Sequence, residues 1–422
     1  MRILRGKKYI HGRGPLKRSK LAFALYGILL LVLVFAPWQT VVLHEFSNWQ
    51  ARVRYGLLGQ STDTPASLTV ANSGPGVATI AHLTDPLHAY GIAAGGGLAG
   101  MSVADINKEL DDIVSLGATW VRFDIEWQNI QYQNANQYDW SDYDKVVTAA
   151  ANHHLKMLGI LAYTPAWARS AGCGSPQCPP ADPAQFAKFA AQAAAHYAPK
   201  GLQSWEIWNE PNTKQFWQTG ADPAAYTRVL QAAYTSIKLA NPQAIVVTGG
   251  LSPQDSSASN MSELDFLQGI YNAGGKGFFD AVGDHPYTYP LMPSDSSGHA
   301  WARMSQTGVS LRSIMAANGD SVKKIWITEF GAPTGGPGAT ATEENYATVH
   351  DTWHVDEQLQ ANMAARAIQL YKSYDWVGPF MWYSYKDVST DQSDNENFFG
   401  LLHHDGSPKQ AYNALKQAIV AR

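Results

Sequence analysis

The chain reads as an α/β protein: a (β/α)8 TIM barrel preceded by an N-terminal transmembrane helix and a short stalk. Three observations carry that expectation. Eight short apolar runs alternate with helical patterns across residues 86–422, basic residues crowd the first twenty positions ahead of an uncharged run, and a stretch rich in Ser, Thr, Gly, Pro and Asn separates that run from the rest. Strands alternating with helices build a parallel sheet wrapped by helices. Eight such units close into a barrel, and barrels of this type routinely pass roughly 250 residues as one unit.

The N-terminal segment comes first. Arg2, Arg5, Lys7, Lys8, Arg13, Lys17, Arg18 and Lys20 precede an uncharged stretch over 21–43. Positive charge ahead of an apolar span predicts a membrane segment with residues 1–20 on the cytoplasmic side. Residues 21–36 are solidly apolar, while Pro37, Gln39 and Thr40 dilute the far end, so the span sits near the minimum for crossing a bilayer. A cleaved signal peptide is the competing reading. The long basic head and the lack of a small-x-small cleavage site favour a signal-anchor that stays on the chain. In either case the remainder faces the outside, attached to the membrane or secreted. Residues 44–85 have only scattered apolar positions and read as a stalk or linker.

The strand-like runs lie at 88–93, 119–124, 155–162, 202–209, 244–249, 279–285, 324–330 and 377–383. Helix signals fall between them. Ser102 with Asp105 resembles a capping box, after which Ile106, Leu110, Ile113 and Val114 share a face until Gly117 ends the run. Asp182-Pro183 and Asp222-Pro223 each pair an N-cap residue with proline in the first helical position. Further helical patterns cover 142–153, 263–273, 302–318, 356–374 and 408–420.

Composition narrows the function classes. The net charge is −4 and the basic residues are concentrated at the N-terminus, so nothing argues for nucleic acid. With 14 Trp and 20 Tyr, the chain has many aromatic faces of the kind sugar rings stack on. Cys173 and Cys178 are the only cysteines, separated by Gly174, Ser175, Pro176 and Gln177. That spacing suits a disulfide-closed loop in an oxidising compartment, with two free thiols as the alternative, and two cysteines are too few for a cysteine zinc site.

Two tetrapeptides stand out, Trp208-Asn209-Glu210-Pro211 and Thr328-Glu329-Phe330-Gly331. Each sets a glutamate at the end of a strand-like run, the fourth and the seventh. Active sites of such barrels lie at the C-terminal ends of the strands. Two glutamates there suit the paired-carboxylate chemistry of glycosidic bonds, in which retention of stereochemistry needs carboxyl groups about 5–5.5 Å apart.

Asn209-Glu210-Pro211 resembles the acid/base signature of the large clan of retaining glycoside hydrolases built on (β/α)8 barrels, and Thr328-Glu329-Phe330-Gly331 resembles its nucleophile strand. Within that clan, residues 121–130 and the run Tyr163-Thr164-Pro165-Ala166-Trp167 are most similar to glycoside hydrolase family 39 and its bacterial exopolysaccharide-cleaving relatives. The resemblance covers roughly residues 88–415. It implies Glu210 as general acid and then base, protonated when substrate binds and ionised once the leaving group departs. Glu329 is implied as the nucleophile, kept ionised by a nearby cation and by hydrogen-bond donors. Arg122 and Tyr287 are the matching donors; a purely structural pair between Arg122 and an inward-facing Glu206 is the other reading, and the two are compatible. Asn209 is implied to bond the sugar 2-hydroxyl, its ordinary alternative being an asparagine that tolerates an awkward backbone angle.

His285, in Asp284-His285-Pro286-Tyr287, is placed to orient the nucleophile or the sugar. Trp382 falls where the clan has a tryptophan platform beneath the sugar, and Trp167 and Trp217 are candidates to stack neighbouring sugars, with packing in the core as the alternative for all three. The loop over 386–399 carries Asp387, Asp391, Asp394, Asn395 and Glu396, but departs from the twelve-residue calcium pattern and reads as a solvated loop over the cleft. His153-His154 and His403-His404 lack a carboxylate at metal-site spacing, so no metal is assigned. No cofactor is expected.

The expected activity is retaining hydrolysis of β-type links in a polysaccharide, an exopolysaccharide or a cell-wall glycan. Two rivals stand beside it: a transglycosylase using the same site, and a catalytically silent, membrane-held sugar-binding protein. Two close glutamates argue against the silent version, because their mutual repulsion is costly without a proton between them. Sugar identity and oligomeric state are not legible in the residues.

Overall fold

The computed structural model describes residues 88–295, 298–305 and 308–421. The anchor expected over 21–43 and the stalk over 44–85 therefore lie outside the described residues. No helix among the described residues is long and apolar enough to cross a membrane.

Eight parallel strands close the barrel expected from the sequence: β1 (Tyr90–Gly95), β2 (Trp120–Glu126), β3 (Lys156–Ala162), β4 (Ser204–Ile207), β5 (Ile245–Thr248), β6 (Ala281–Asp284), β7 (Lys324–Phe330) and β8 (Val377–Tyr383). Each pairs with its neighbours in chain order, and β8 returns to β1 through Tyr90↔Phe380 to Ala93↔Tyr383. The β2–β3 ladder is long, running without interruption from Trp120↔Lys156 to Glu126↔Ala162.

Around the barrel lie α1 (Val103–Ser115), α2 (Ser141–Asn152), α3 (Pro183–Tyr197), α4 (Pro223–Ala240), α5 (Glu263–Asn272), α6 (Ala300–Ser305), α7 (Leu311–Ala317), α8 (Glu357–Tyr371) and α9 (Gln410–Val420). Ser102, Asp182 and Asp222 cap their helices as their sequence signatures imply, each side chain accepting a first-turn backbone N–H. Gly117, at φ +91, takes the left-handed turn that ends α1. Ile106, Leu110 and Ile113 are buried, but Val114 turns outward. The single helix expected over 302–318 is two. Ser310 starts α7 with a reciprocal capping box to Ser313, a new N-terminus that a continuous helix has no place for.

Strand alternation sorts the side chains into two layers. Val121, Phe123 and Ile125 of β2 face the helices, whereas Trp120 joins Leu158, Val247, Trp326 and Met381 in a packed plug inside the barrel. Trp120 and Trp326 meet edge to face there, ring centroids 5.3 Å apart. Above the plug the interior turns polar, and the same alternation brings Arg122 and then Asp124 to the inner wall. β7 breaks the rule. Ile327 pairs with Phe380 and Phe330 with Trp382, three residues of β7 against two of β8. This extra residue is a bulge, a device that re-aims a side chain beside a site. It lets Thr328 and Glu329 both serve the interior while Phe330 packs outward against Trp301 and Trp382.

Candidate active site

At the C-terminal end of the barrel is a cavity of about 620 Å³, within the usual range for ligand sites. Glu210, Glu329, Asn209 and Tyr287 line it. The two glutamates, 119 positions apart in the chain, are therefore brought together.

Glu210 follows β4 on a strained turn. Trp208 has φ +72 and Glu210 φ +43, a left-handed conformation that costs about 1–2 kcal/mol per non-glycine residue. The awkward angles thus belong to the residues on either side of Asn209, not to Asn209. Packing holds the turn: Trp208 is fully buried against Phe186, Tyr163 and Trp217, its Nε1–H donates to the Phe216 carbonyl at 2.6 Å, and the Glu210 N–H donates to the Gly250 carbonyl at 3.1 Å.

Arg122 organises the centre. Its Nε donates to Glu206 Oε2 at 2.6 Å, Nη2 donates to Glu206 Oε1 at 3.2 Å and to Asn209 Oδ1 at 3.0 Å, and Nη1 donates to Glu329 Oε1. Both readings of Arg122 hold, since one guanidinium pairs with the buried Glu206 and with the cavity carboxylate. Glu206 is tied further by the Gly250 N–H at 2.7 Å and the Thr328 hydroxyl at 3.1 Å.

His285 is fully buried. Its Nε2 lies 3.4 Å from Arg122 Nη2. A guanidinium only donates, so Nε2 is the acceptor and Nδ1 carries the hydrogen. That Nδ1–H points at Glu210 Oε1 (2.9 Å), with Glu329 Oε2 at 3.5 Å. Tyr287 donates its hydroxyl to Glu329 Oε2 at 2.7 Å. Burial alone raises the Glu329 carboxyl, but the adjoining His285 ring, the Arg122 charge and the bonds from Tyr287 and Arg122 outweigh it and hold Glu329 below the ordinary glutamate value. Glu329 is held as a carboxylate.

Glu210, His285 and Glu329 present atoms within 4.8 Å of one another, the one such acidic-histidine group among the described residues with the spacing of a metal site. Arg122, Tyr287 and the His285 N–H already occupy the carboxylate oxygens, an arrangement suited to proton handling more than to ligating a cation. The Cys173–Cys178 disulfide is formed, with Cα atoms 5.9 Å apart.

The tryptophans depart from expectation. Trp382 is fully buried and packs outward on Phe330, because strand alternation gives the inner position to the next residue, Tyr383. Trp217 is buried between Trp208 and Tyr226. Trp167 packs edge-on to Trp127 and donates Nε1–H to the Gln131 carbonyl, away from the cavity lining. None of the three offers a face to the cavity. Its aromatic surface comes instead from Tyr163, Phe216, Tyr289, Trp353, Tyr383 and Phe399.

Sequence reasoning also passed over Asp124, Gly250 and the role of Glu396. The loop after β8 does border the cleft, through Asn395, Glu396 and Phe399. Asp387 instead anchors that loop, accepting from Lys409 Nζ at 2.6 Å and from the Gly400 N–H at 2.9 Å. Gly250 has a steric role: a Cβ there would lie 2.1 Å from His285 Nε2 and 2.6 Å from Thr328 Oγ1. The Gly249-Gly250 pair at the end of a strand was the available signal.

Solved structures share this architecture. A family 39 glycoside hydrolase from the gut symbiont Bacteroides cellulosilyticus WH2 aligns with TM-score 0.60 at 22% identity, over 79% of this chain and 64% of that one. This chain thus spans under two thirds of that protein. A GH5_18 protein from Streptomyces cattleya in complex with GlcNAc aligns with TM-score 0.59 at 15% identity, over 79% of this chain and 80% of its own. Xylanase 10B of Thermotoga maritima aligns with TM-score 0.52 at 17% identity, over 79% and 95%. At these identities the likeness is one of fold. No curated protein matches the chain by sequence. The family model described as Cellulase (glycosyl hydrolase family 5) matches residues 90–365, about two thirds of the chain, and includes both glutamates. The chain belongs to glycosyl hydrolase family 5, built on a (β/α)8 barrel.

Proposed function

We propose that the protein is a retaining glycosidase that cleaves β-type links of a polysaccharide by double displacement. The observation that carries the reading is the approach of Glu210 and Glu329, whose nearest oxygens lie within 4.8 Å. Inverting enzymes hold their carboxyl groups about 6.5–9.5 Å apart to admit a water, whereas retaining ones place them about 5–5.5 Å apart.

Glu329, ionised and gripped by Arg122 and Tyr287, attacks the anomeric carbon, while Glu210 gives its proton to the departing oxygen. Glu210 then takes a proton from water as the water displaces Glu329 from the sugar. The His285 N–H bridges toward both carboxylates and follows the charge as it moves between them. Asn209, oriented by Arg122, is the donor for the sugar 2-hydroxyl. Tyr383 and Phe399, ring centroids 5.2 Å apart, take the stacking role.

The N-terminal basic and apolar segments suggest a catalytic domain tethered outside the membrane and acting on glycan at the cell surface, an exopolysaccharide or wall glycan. A panel of 2-fluoro glycosides, read by mass spectrometry of proteolysed protein, tests the mechanism. The expected result is a covalent label on Glu329 with a subset of β-glycosides. A label on another residue, or turnover whose first product has inverted configuration, overturns it.

A further inference from the structure

The lining of the catalytic cavity carries acids without bases. Its lining includes the carboxylates Asp124, Glu210, Glu329 and Glu396 and, among the described residues, no Lys, Arg or His. The two cationic or protonatable groups of the centre, Arg122 and His285, lie beneath the lining, fully buried and already engaged by Glu206, Glu329, Asn209 and Glu210. A bound uronate or sulfated sugar would meet this wall with like charge and no free cation.

Two of the four carboxylates have parts in the double displacement, and two do not. Asp124 stands on the inner face of β2 two residues past Arg122, which the strand rise puts about 6.6 Å nearer the mouth. Its carboxylate has no hydrogen bond or ion pair among the described residues, although burial pushes it up to about 7 against the pull of Arg122, with Glu126 and Glu329 adding to the rise. Glu126 stands beside it. A Cβ placed on Gly96 would lie 3.1 Å from Glu126 Oε1 and 3.4 Å from Asp124 Oδ2, so the bare glycine leaves both carboxylates an open approach. Glu396, from the loop after β8, enters the same cavity with no side-chain partner among the described residues, and burial, with Glu329 and Glu210 adding to it, pushes its carboxyl up to about 7.

We propose that Asp124, supported by Glu126 and by Glu396, binds a free ammonium group of the substrate, so that the glycan cleaved contains amino sugars with an unsubstituted amine. This deepens the glycosidase reading and rests on it. A sugar hydroxyl would satisfy a lone pair without favouring the ionised form of these crowded acids, whereas an ammonium supplies hydrogen bonds and the missing cation together. Charge-assisted bonds of that kind are about twice as strong as neutral ones. An N-acetyl group at the same position loses the charge and adds bulk beside Gly96.

The test separates binding from turnover. Glu329→Gln protein is titrated by calorimetry at pH 7, where Asp124 is about half ionised before an ammonium draws it further, with β-linked glucosamine oligosaccharides and with their N-acetylated and glucose counterparts of equal length. Tighter binding of the free amine by roughly tenfold or more is expected, on the scale of one charged hydrogen bond, with the preference weakening as salt rises. Adding Asp124→Asn, an isosteric change, is expected to remove most of that preference ratio. Equal or tighter binding of the neutral sugars, or a preference ratio untouched by Asp124→Asn, overturns the inference. Wild-type labelling by the fluorinated glycosides reports separately on the glycosidase reading, so selective amine binding without labelling would leave the Asp124 site standing and remove the catalytic assignment.

Discussion

Glu206→Gln probes the ion pair on which the centre is built. Glu206 is fully buried, and its two oxygens accept from Arg122 Nε at 2.6 Å, Arg122 Nη2 at 3.2 Å, the Gly250 N–H at 2.7 Å and the Thr328 hydroxyl at 3.1 Å. The variant keeps the shape. Its amide oxygen can still accept from Gly250 and Thr328, but the amide nitrogen then faces the Arg122 Nε–H, donor against donor. Breaking a buried pair by removing one charge costs about 3–5 kcal/mol. Arg122 keeps Glu329 and Asn209 as acceptors, so the lower end applies, about 3 kcal/mol. Equilibrium denaturation at pH 7 measures it as a lower transition midpoint at unchanged slope. kcat/KM should fall as well, because a guanidinium freed on one side no longer holds Glu329 in a single pose. A loss of stability below about 0.5 kcal/mol, the range of ordinary surface changes, would refute the claim that Glu206 and Arg122 form the buried frame of the site.

Two further outcomes are expected. Gly250→Ala drives a methyl group into His285 and Thr328; overpacking of this kind costs about 1–3 kcal/mol, and displacement of the His285 N–H from Glu210 should lower kcat by roughly 100-fold. Retention of near wild-type kcat would show that His285 does not need its present position. Asp124→Asn should stabilise the free protein at neutral and alkaline pH but not under acid conditions. The Asp124 carboxyl is raised from 3.8 to about 7, so between those values the folded state holds a proton that the unfolded state has lost, and stability falls as pH rises through that window. The asparagine removes this penalty, about 1–2 kcal/mol after allowing for the solvent that reaches the cavity. Thermal melts of both proteins at pH 4 and pH 8 check it: the variant's advantage should appear only at pH 8, and an equal shift at both ends would contradict it.

Much of the architecture was legible in the residues because its signals are local. Alternating apolar runs placed all eight strands to within a few residues, and Asp182-Pro183 and Asp222-Pro223 marked two helix starts. The glutamates at the ends of the fourth and seventh runs announced the centre, since a closed parallel barrel sends every strand end to the same rim. The helix expected over 302–318 was misread because apolar spacing alone does not show where a new cap restarts the chain.

What the linear chain determined by itself, then, is the barrel and the pair of acids, both consequences of periodicity and strand order. Which face each side chain takes was decided only in the folded state. The phase along β8 hides Trp382 and presents Tyr383, and the bulge on β7 turns Glu329 inward while Phe330 packs outside. The uncompensated carboxylate of Asp124 likewise emerges only when β2, β7 and the loop after β8 meet around one cavity. The physical reason is that a one-residue shift in strand phase exchanges inside for outside, and neighbouring charges acquire their meaning from distances through space that no spacing along the chain records.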